Sequence, residues 1–328
     1  MIIKNATINE LQVYLVNNNH ITVNEQIVEV SKAGEGNMNC VLRIQTNKQS
    51  FICKQSSAYV EKYPQIAAPQ NRVQTEAAFY QKIKNNDNIS VMMPEILGVD
   101  IENNILFLQD LGAIQDFSSL YDLRIKLTNS EVISLTNYLN QLHRSFKKET
   151  SNSELENLEL RKLNYEHIFN YPFLEENGFD LNTVQPGLQE IALPYKNNSI
   201  LKTAITTIGN SYLENGLYLL HGDFYPGSWF NCKDKIMIID PEFCYFGHRE
   251  FDLAVFIAHM YLTKHEDKII EMIAINYIDY SSLNHKLLNG LVGVEILRRL
   301  IGLAQLPLKM KLNDKKELLE KAQNLILN

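Results

Sequence analysis

Two acidic residues, each closing a short apolar run, are the first feature of this sequence that could do chemistry. Asp223 follows Tyr218-Leu-Leu-His221-Gly222, and Asp240 follows Ile236-Met-Ile-Ile. They lie 17 positions apart. Phosphoryl transfer uses such a set: one carboxylate orients an attacking hydroxyl and accepts its proton, while others hold Mg2+ against phosphates. Asp223 leads into a loop with Pro226 and Gly227, so it is expected on a rigid bend. Asp240 and Glu242 are two apart; on a strand they would point the same way and could share an ion. A single strand-ending Asp more often caps a turn. The joint pattern is what favours chemistry.

Other residues could serve the same reaction. Residues 34–39, Gly-Glu-Gly-Asn-Met-Asn, form a glycine-bearing turn, and Gly34, Gly36 and Asn37 would let backbone amides approach phosphates. With no third glycine, a plain hairpin turn fits the same residues. Lys54 follows Phe51, Ile52 and Cys53. An ammonium at an inward strand position needs an anion, because burying it unpaired is costly. A phosphate and Glu76 are the candidates; a surface lysine is the alternative. Arg298 and Arg299 interrupt an apolar helix expected over 291–306. Either a guanidinium fork faces an oxygen-rich ligand, or the pair is neutralised by Glu295. His221 reads as a structural histidine bracing the Asp223 loop, and Trp229 as core. His248 and Arg249 fit a site neighbour and a solvated turn equally.

The elements that must position these residues follow from periodicity. Ile27–Val30, Cys40–Gln45 and Ser50–Gln55 read as strands, the last two alternating around the polar turn 46–49. Val73, Ala77 and Tyr80 have helical spacing, so a helix carrying Glu76 is expected over 73–83. Ile96–Val99 and Ile105–Leu108 suit a hairpin, and Gly112 a hinge. From Ser130, expected as an N-cap, the chain reads as helical, with Ile133, Leu135, Leu139, Leu142 and Phe146 as a helical stripe. The exception is 217–242, where two strands flank the polar loop. The expectation is an α+β, two-lobed plan: a small β-rich N-terminal lobe, 1–112, and a larger mainly helical C-terminal lobe, 113–328.

Bulk properties narrow the classes. The 328 residues exceed the roughly 250–300 at which one core stops growing. A net charge of -7 shows no basic excess of the kind that neutralises nucleic-acid phosphates. Cys40, Cys53, Cys232 and Cys244 form no Cys-x-x-Cys pair and read as buried reduced thiols. No apolar run reaches the ~18 residues of a membrane span, and the N-terminus lacks a signal pattern. A cytoplasmic protein with no nucleic-acid or membrane partner is expected.

Taken together, His221-Gly-Asp-x-x-x-x-Ser228, Ile239-Asp-Pro-Glu242 and Phe251-Asp-Leu-Ala resemble the aminoglycoside phosphotransferase and choline kinase superfamily, relatives of protein kinases. The resemblance implies a protein-kinase-like fold with ATP and Mg2+ as cofactors. It implies Asp223 as catalytic base, Asp240 as metal ligand and Asp252 as a brace of the catalytic loop. Gln109 and Asp110 fall on the hinge that would meet adenine, and Lys54–Glu76 on the kinase Lys–Glu pair. The usual metal-binding Asn is replaced by Ser228, a weaker neutral ligand, which moves the second contact to Glu242. The Asp-Pro-Glu-Phe form, Ala33-Gly-Glu-Gly-Asn-Met-Asn, Ile52-Cys-Lys-Gln-Ser-Ser-Ala-Tyr-Val and Leu297-Arg-Arg-Leu-Ile-Gly-Leu-Ala are similar to 5-methylthioribose kinases. There the paired arginines bind the sugar, and a homodimer is implied. The departure is 61–69, which has no tryptophan where that family carries a Ser-Trp-Pro loop. A sugar hydroxyl is therefore the expected acceptor. An aminoglycoside, choline or homoserine acceptor, and a nucleotide-binding pseudokinase, are the alternatives.

Overall fold

A computed structural model describes residues 1–34, 37–151, 154–232 and 235–328. Gly36 lies outside the described residues. The fold is α+β, and the chain forms two compact units: 1–114 with 237–243, and 115–236 with 244–328.

The first unit opens with α1 (Ile8–Asn17), started by a capping box in which Thr7 and Glu10 satisfy each other's backbone N–H. It continues through β1 (Ile27–Lys32), β2 (Cys40–Thr46), β3 (Ser50–Gln55), the hairpin β4 (Tyr59–Val60) and β5 (Tyr63–Ala67), α2 (Arg72–Ile83), α3 (Asp87–Ser90), β6 (Ile96–Asp100) and β7 (Ile105–Gln109). Five strands form an antiparallel sheet in the order β1-β2-β3-β7-β6. Alternation on β3 divides its residues between two faces. Phe51 and Cys53 join Ile3, Leu11, Leu15, Ile44, Ile105 and Phe107 in the core on one face. Lys54, between Val41 and Leu106 in the register, falls on the other, where α2 supplies Glu76.

The second unit contains α4 (Asn129–Ser145), α5 (Leu158–Tyr165), α6 (Leu188–Lys196), α7 (Ser199–Leu213), β8 (Tyr218–Leu220), β9 (Trp229–Cys232), β10 (Lys235–Ile238), β11 (Tyr245–Gly247), α8 (Glu250–Leu262), α9 (Asp267–Asn276), α10 (His285–Ile301) and α11 (Leu312–Leu327). β10 ends in the 237–243 stretch of the first unit. A π turn, Glu166–Asn170, follows α5 directly. α8 and α10 are buried almost all round, and α10 packs against both α8 and α11. No helix among the described residues is long and apolar enough to cross a membrane.

Three local expectations are corrected. The N-cap of α4 is Thr128, whose hydroxyl accepts from the Glu131 N–H while Glu131 reaches back; Ser130 lies inside the helix. On the expected stripe Ile133 is exposed, and the buried face runs through Val132, Leu135, Leu139 and Leu142. α10 ends at Ile301, where the Gly302 N–H closes on the Arg298 carbonyl, so the helix does not extend to 306.

Candidate active-site residues

In the first unit, Lys54 is the centre of a buried ion network. Its side chain is only 6% exposed. The ammonium donates to Glu76 Oε2 at 2.5 Å and to Asp240 Oδ1. Burial alone would lower its pKa, but the Asp240, Glu76 and Glu242 carboxylates outweigh burial and hold it raised. Glu76 and Glu242 are themselves pushed up, to about 8 and about 7, chiefly by burial, and Asp240 adds its repulsion.

Asp240 and Glu242 do not sit on a strand, which overturns the same-side argument drawn from their spacing. Asp240 has a left-handed backbone, φ 68°, and Pro241–Phe243 is a single 3-10 turn. The turn separates the two environments. Asp240 is 43% exposed, whereas Glu242 is buried. Asn39 Nδ2 donates to Glu242 at 2.8 Å, and Arg72 Nε lies 3.5 Å from the same oxygen. Arg72 also donates to the Met38 carbonyl and Asn39 Oδ1, and through its other nitrogen to the Ser57 and Pro69 carbonyls. Glu242 and Arg72 together fix the exit of the 34–39 turn.

A Cβ on Gly34 would meet nothing within 4 Å, and the Asn37 carbonyl accepts from Lys62 N–H. At the other end of the sheet, Asp110 takes a bidentate contact from Arg43 at 2.8 and 2.9 Å, with Ser50 and the Gly112 N–H as further donors. Gln109 accepts from the Glu95 N–H.

The donor set fits a hard divalent cation. Three carboxylates, Glu76, Asp240 and Glu242, stand with the cations Lys54 and Arg72 among the described residues, and Asn39 also donates to Glu242. Asp240 Oδ2 makes no hydrogen bond among the described residues. No cluster of three protein ligands occurs among the described residues. Mg2+ does not need one, since one or two carboxylates plus phosphate oxygens and water suffice.

In the second unit, the Asp223 loop is held from α8. Asp252, fully buried, accepts from the His221 N–H at 2.7 Å, the Gly222 N–H at 2.9 Å and His143 Nε2 at 3.2 Å. Gly222 has φ 84°, a conformation that favours glycine. His221 Nδ1 accepts from the Asp223 N–H at 3.3 Å, and the Ser228 hydroxyl donates to the Asp223 carbonyl at 2.8 Å. Trp229 is fully buried against Phe117, Phe224 and Phe256. The Asp223 carboxylate is thus carried on a fixed bend and is a quarter exposed.

Arg298 and Arg299 both pair with Glu295, at 2.8 and 2.6 Å. Burial would raise Glu295, but the two guanidinium groups hold it well below the usual carboxylate range. Arg299 Nη2 lies 3.7 Å from Asp223 Oδ1, and its guanidinium stands over the Tyr225 ring. His248 lies 3.5 Å from Glu214, and Arg249 donates to Ser282. Sequence reasoning missed Arg72, Asn39, His143, His259 and Tyr121 as partners of these groups.

Comparisons with known proteins bear on the fold and on the sequence as a whole. The fold is shared with choline kinase LicA from Streptococcus pneumoniae, TM-score 0.57 at 14% identity, covering 96% of this chain and 97% of that one. It is a protein-kinase-like fold. In sequence, the chain is similar to the methylthioribose kinase of Bacillus velezensis, 26% identical over 247 residues, and to that of a Geobacillus species, 25% identical over 338 residues. These matches cover 70% and 88% of this chain and 59% and 81% of the relatives. The chain thus spans less than two thirds of the length of the first. A fructosamine kinase family model matches residues 194–265, which include the Asp223 loop and Asp252.

Proposed function

We propose that the chain transfers the γ-phosphoryl group of ATP to a hydroxyl of 5-methylthioribose. The observation that carries this reading is Lys54, a buried lysine held between Glu76 and Asp240 on the sheet face opposite the core. A lysine so placed is a ready partner for phosphate oxygens. The similarity to methylthioribose kinases supports the choice of alcohol.

Each residue then has a part. Asp223 orients the substrate hydroxyl and receives its proton as the new oxygen–phosphorus bond forms and the β,γ-bridging bond of ATP breaks. Lys54 positions phosphate oxygens, with Glu76 fixing the ammonium. Gly34, Gly36 and Asn37 offer backbone amides to the phosphates, and the backbone at Gln109 and Asp110 meets adenine. Asp240 would hold Mg2+, with Glu242 as a further ligand; bound there, the ion would neutralise charge building on the phosphates. Of the arginine pair, Arg298 takes the oxygens of the sugar, and Arg299 stands beside Asp223. His221 and Asp252 keep Asp223 in place. Most of the acceleration comes from positioning and electrostatics.

The test is ATP consumption with 5-methylthioribose, ribose, choline, homoserine and an aminoglycoside. Turnover with 5-methylthioribose is expected. Turnover confined to choline or the aminoglycoside would reject that substrate. ATP binding with no turnover on any alcohol would favour the pseudokinase.

A further inference from the structure

The buried side chains behind the arginine pair form a continuous string. Tyr121 OH and His259 Nδ1 are 2.8 Å apart, and His259 Nε2 and Glu295 Oε1 are 3.3 Å apart. The tautomer follows from the partners. A carboxylate can only accept, so His259 Nε2 carries the proton and donates to Glu295, and Nδ1 accepts from the Tyr121 hydroxyl. Burial pushes the His259 pKa down to about 4, which keeps it neutral. Glu295 Oε1 then receives Arg299 Nε at 2.6 Å, and Oε2 receives Arg298 Nη1 at 2.8 Å. His259, Glu295 and Arg299 are more than nine-tenths buried, as is Tyr121.

The two arginines are not used alike. Arg299 gives Nε to Glu295 and turns Nη2 toward Asp223 Oδ1. Among the described residues Arg298 pairs with Glu295 rather than with Asp223, and its Nε has no hydrogen-bond partner. The geometry points to a division of labour: Glu295, supported by His259 and Tyr121, positions Arg299 against Asp223 and leaves Arg298 as the arginine that meets the substrate. Glu295 and Arg299 are positioning residues, acting through Asp223. This assignment rests on Asp223 being the base.

The physical reason is reach. An arginine side chain is long and rotamer-rich, so without a second anchor its fork would sample many positions around Asp223. Glu295 sits one turn earlier on α10, so it fixes the guanidinium from the helix's own backbone. A charge held beside the base without moving is what a pre-organised site needs.

Two measurements on the full chain test it. In steady-state assays with ATP and 5-methylthioribose, Glu295→Asp and Arg299→Lys should lower kcat by about 10²-fold, the scale of an ångström-level misplacement, with little change in KM. Arg298→Gln should instead raise KM for the alcohol. A raised KM with unchanged kcat in Glu295→Asp would overturn the division. The second measurement needs no turnover. The Arg299 Nε–H NMR signal, assigned by its loss in Arg299→Lys, should move in Asp223→Asn, and the movement should shrink by at least half in a Glu295→Asp background. An undiminished movement would overturn the proposal. If Glu295→Asp does not fold, Tyr121→Phe removes one hydroxyl and no charge, and must still shift the same signal; an unmoved signal overturns it. Absence of turnover with methylthioribose beside a positive NMR coupling would reject the substrate and keep Glu295 as the positioning residue.

Discussion

Replacing Asp252 by Asn isolates the brace behind the Asp223 loop. The wild-type carboxylate is fully buried and accepts two backbone N–H groups at 2.7 and 2.9 Å, with His143 on the same side. Asn has the same shape but only one accepting oxygen. Its amide NH2 must face either the His221 or the Gly222 N–H, donor against donor. One charge-assisted hydrogen bond is lost and one buried donor is left unsatisfied, which together cost about 2–4 kcal/mol. Trp229, the only tryptophan, is fully buried against Phe224 of the same loop, so its fluorescence reports unfolding where the change is made. In urea, Asp252→Asn should lower the midpoint of the Trp229 transition at an unchanged slope. A loss below about 0.5 kcal/mol would be the size of an ordinary surface substitution, and would refute the brace.

Three further outcomes follow from buried groups. His259 has its pKa pushed from 6.5 down to about 4 by burial, so the unfolded chain binds the proton more readily. Its contribution is present above pH 6.5 and lost as pH falls toward 4, amounting to about 2 kcal/mol between pH 7 and pH 5. Urea titrations of wild type and His259→Gln at both pH values should differ by that amount, and parallel behaviour would contradict it. Lys196 is fully buried, and its ammonium has no hydrogen-bond partner among the described residues. Lys196→Met should therefore stabilise by about 1–2 kcal/mol, read as a raised urea midpoint. At Gly209 of α7 a Cβ would lie 2.6 Å from Tyr165 and 2.9 Å from Phe169, so Gly209→Ala should destabilise by about 1–3 kcal/mol despite the gain in helix propensity.

Local pattern carried much of the fold. The strands 40–45 and 50–55 alternate, and the structure bounds them as β2 and β3 to within a residue. The helix from Thr7 carries its own signal, a Thr-x-x-Glu box followed by Leu11 and Leu15. The same box at Thr128–Glu131 explains why Ser130 is not the cap. Spacing misled at Asp240, because a two-residue interval means one face only on a strand, and a left-handed residue before Pro241 breaks that premise. Partners far apart in sequence left no local trace. Asn39 and Glu242 meet across 203 positions, and Tyr121 and His259 across 138. Glu295 was visible because it lies one helical turn from the arginines.

The central claim is that Asp223 accepts the proton of the attacking hydroxyl. It is tested most directly by kcat of Asp223→Asn with ATP and 5-methylthioribose, beside ATP affinity measured separately. The account predicts a fall in kcat of about 10²-fold or more, the scale of general-base catalysis, with ATP affinity unchanged. Full turnover by Asp223→Asn would contradict it.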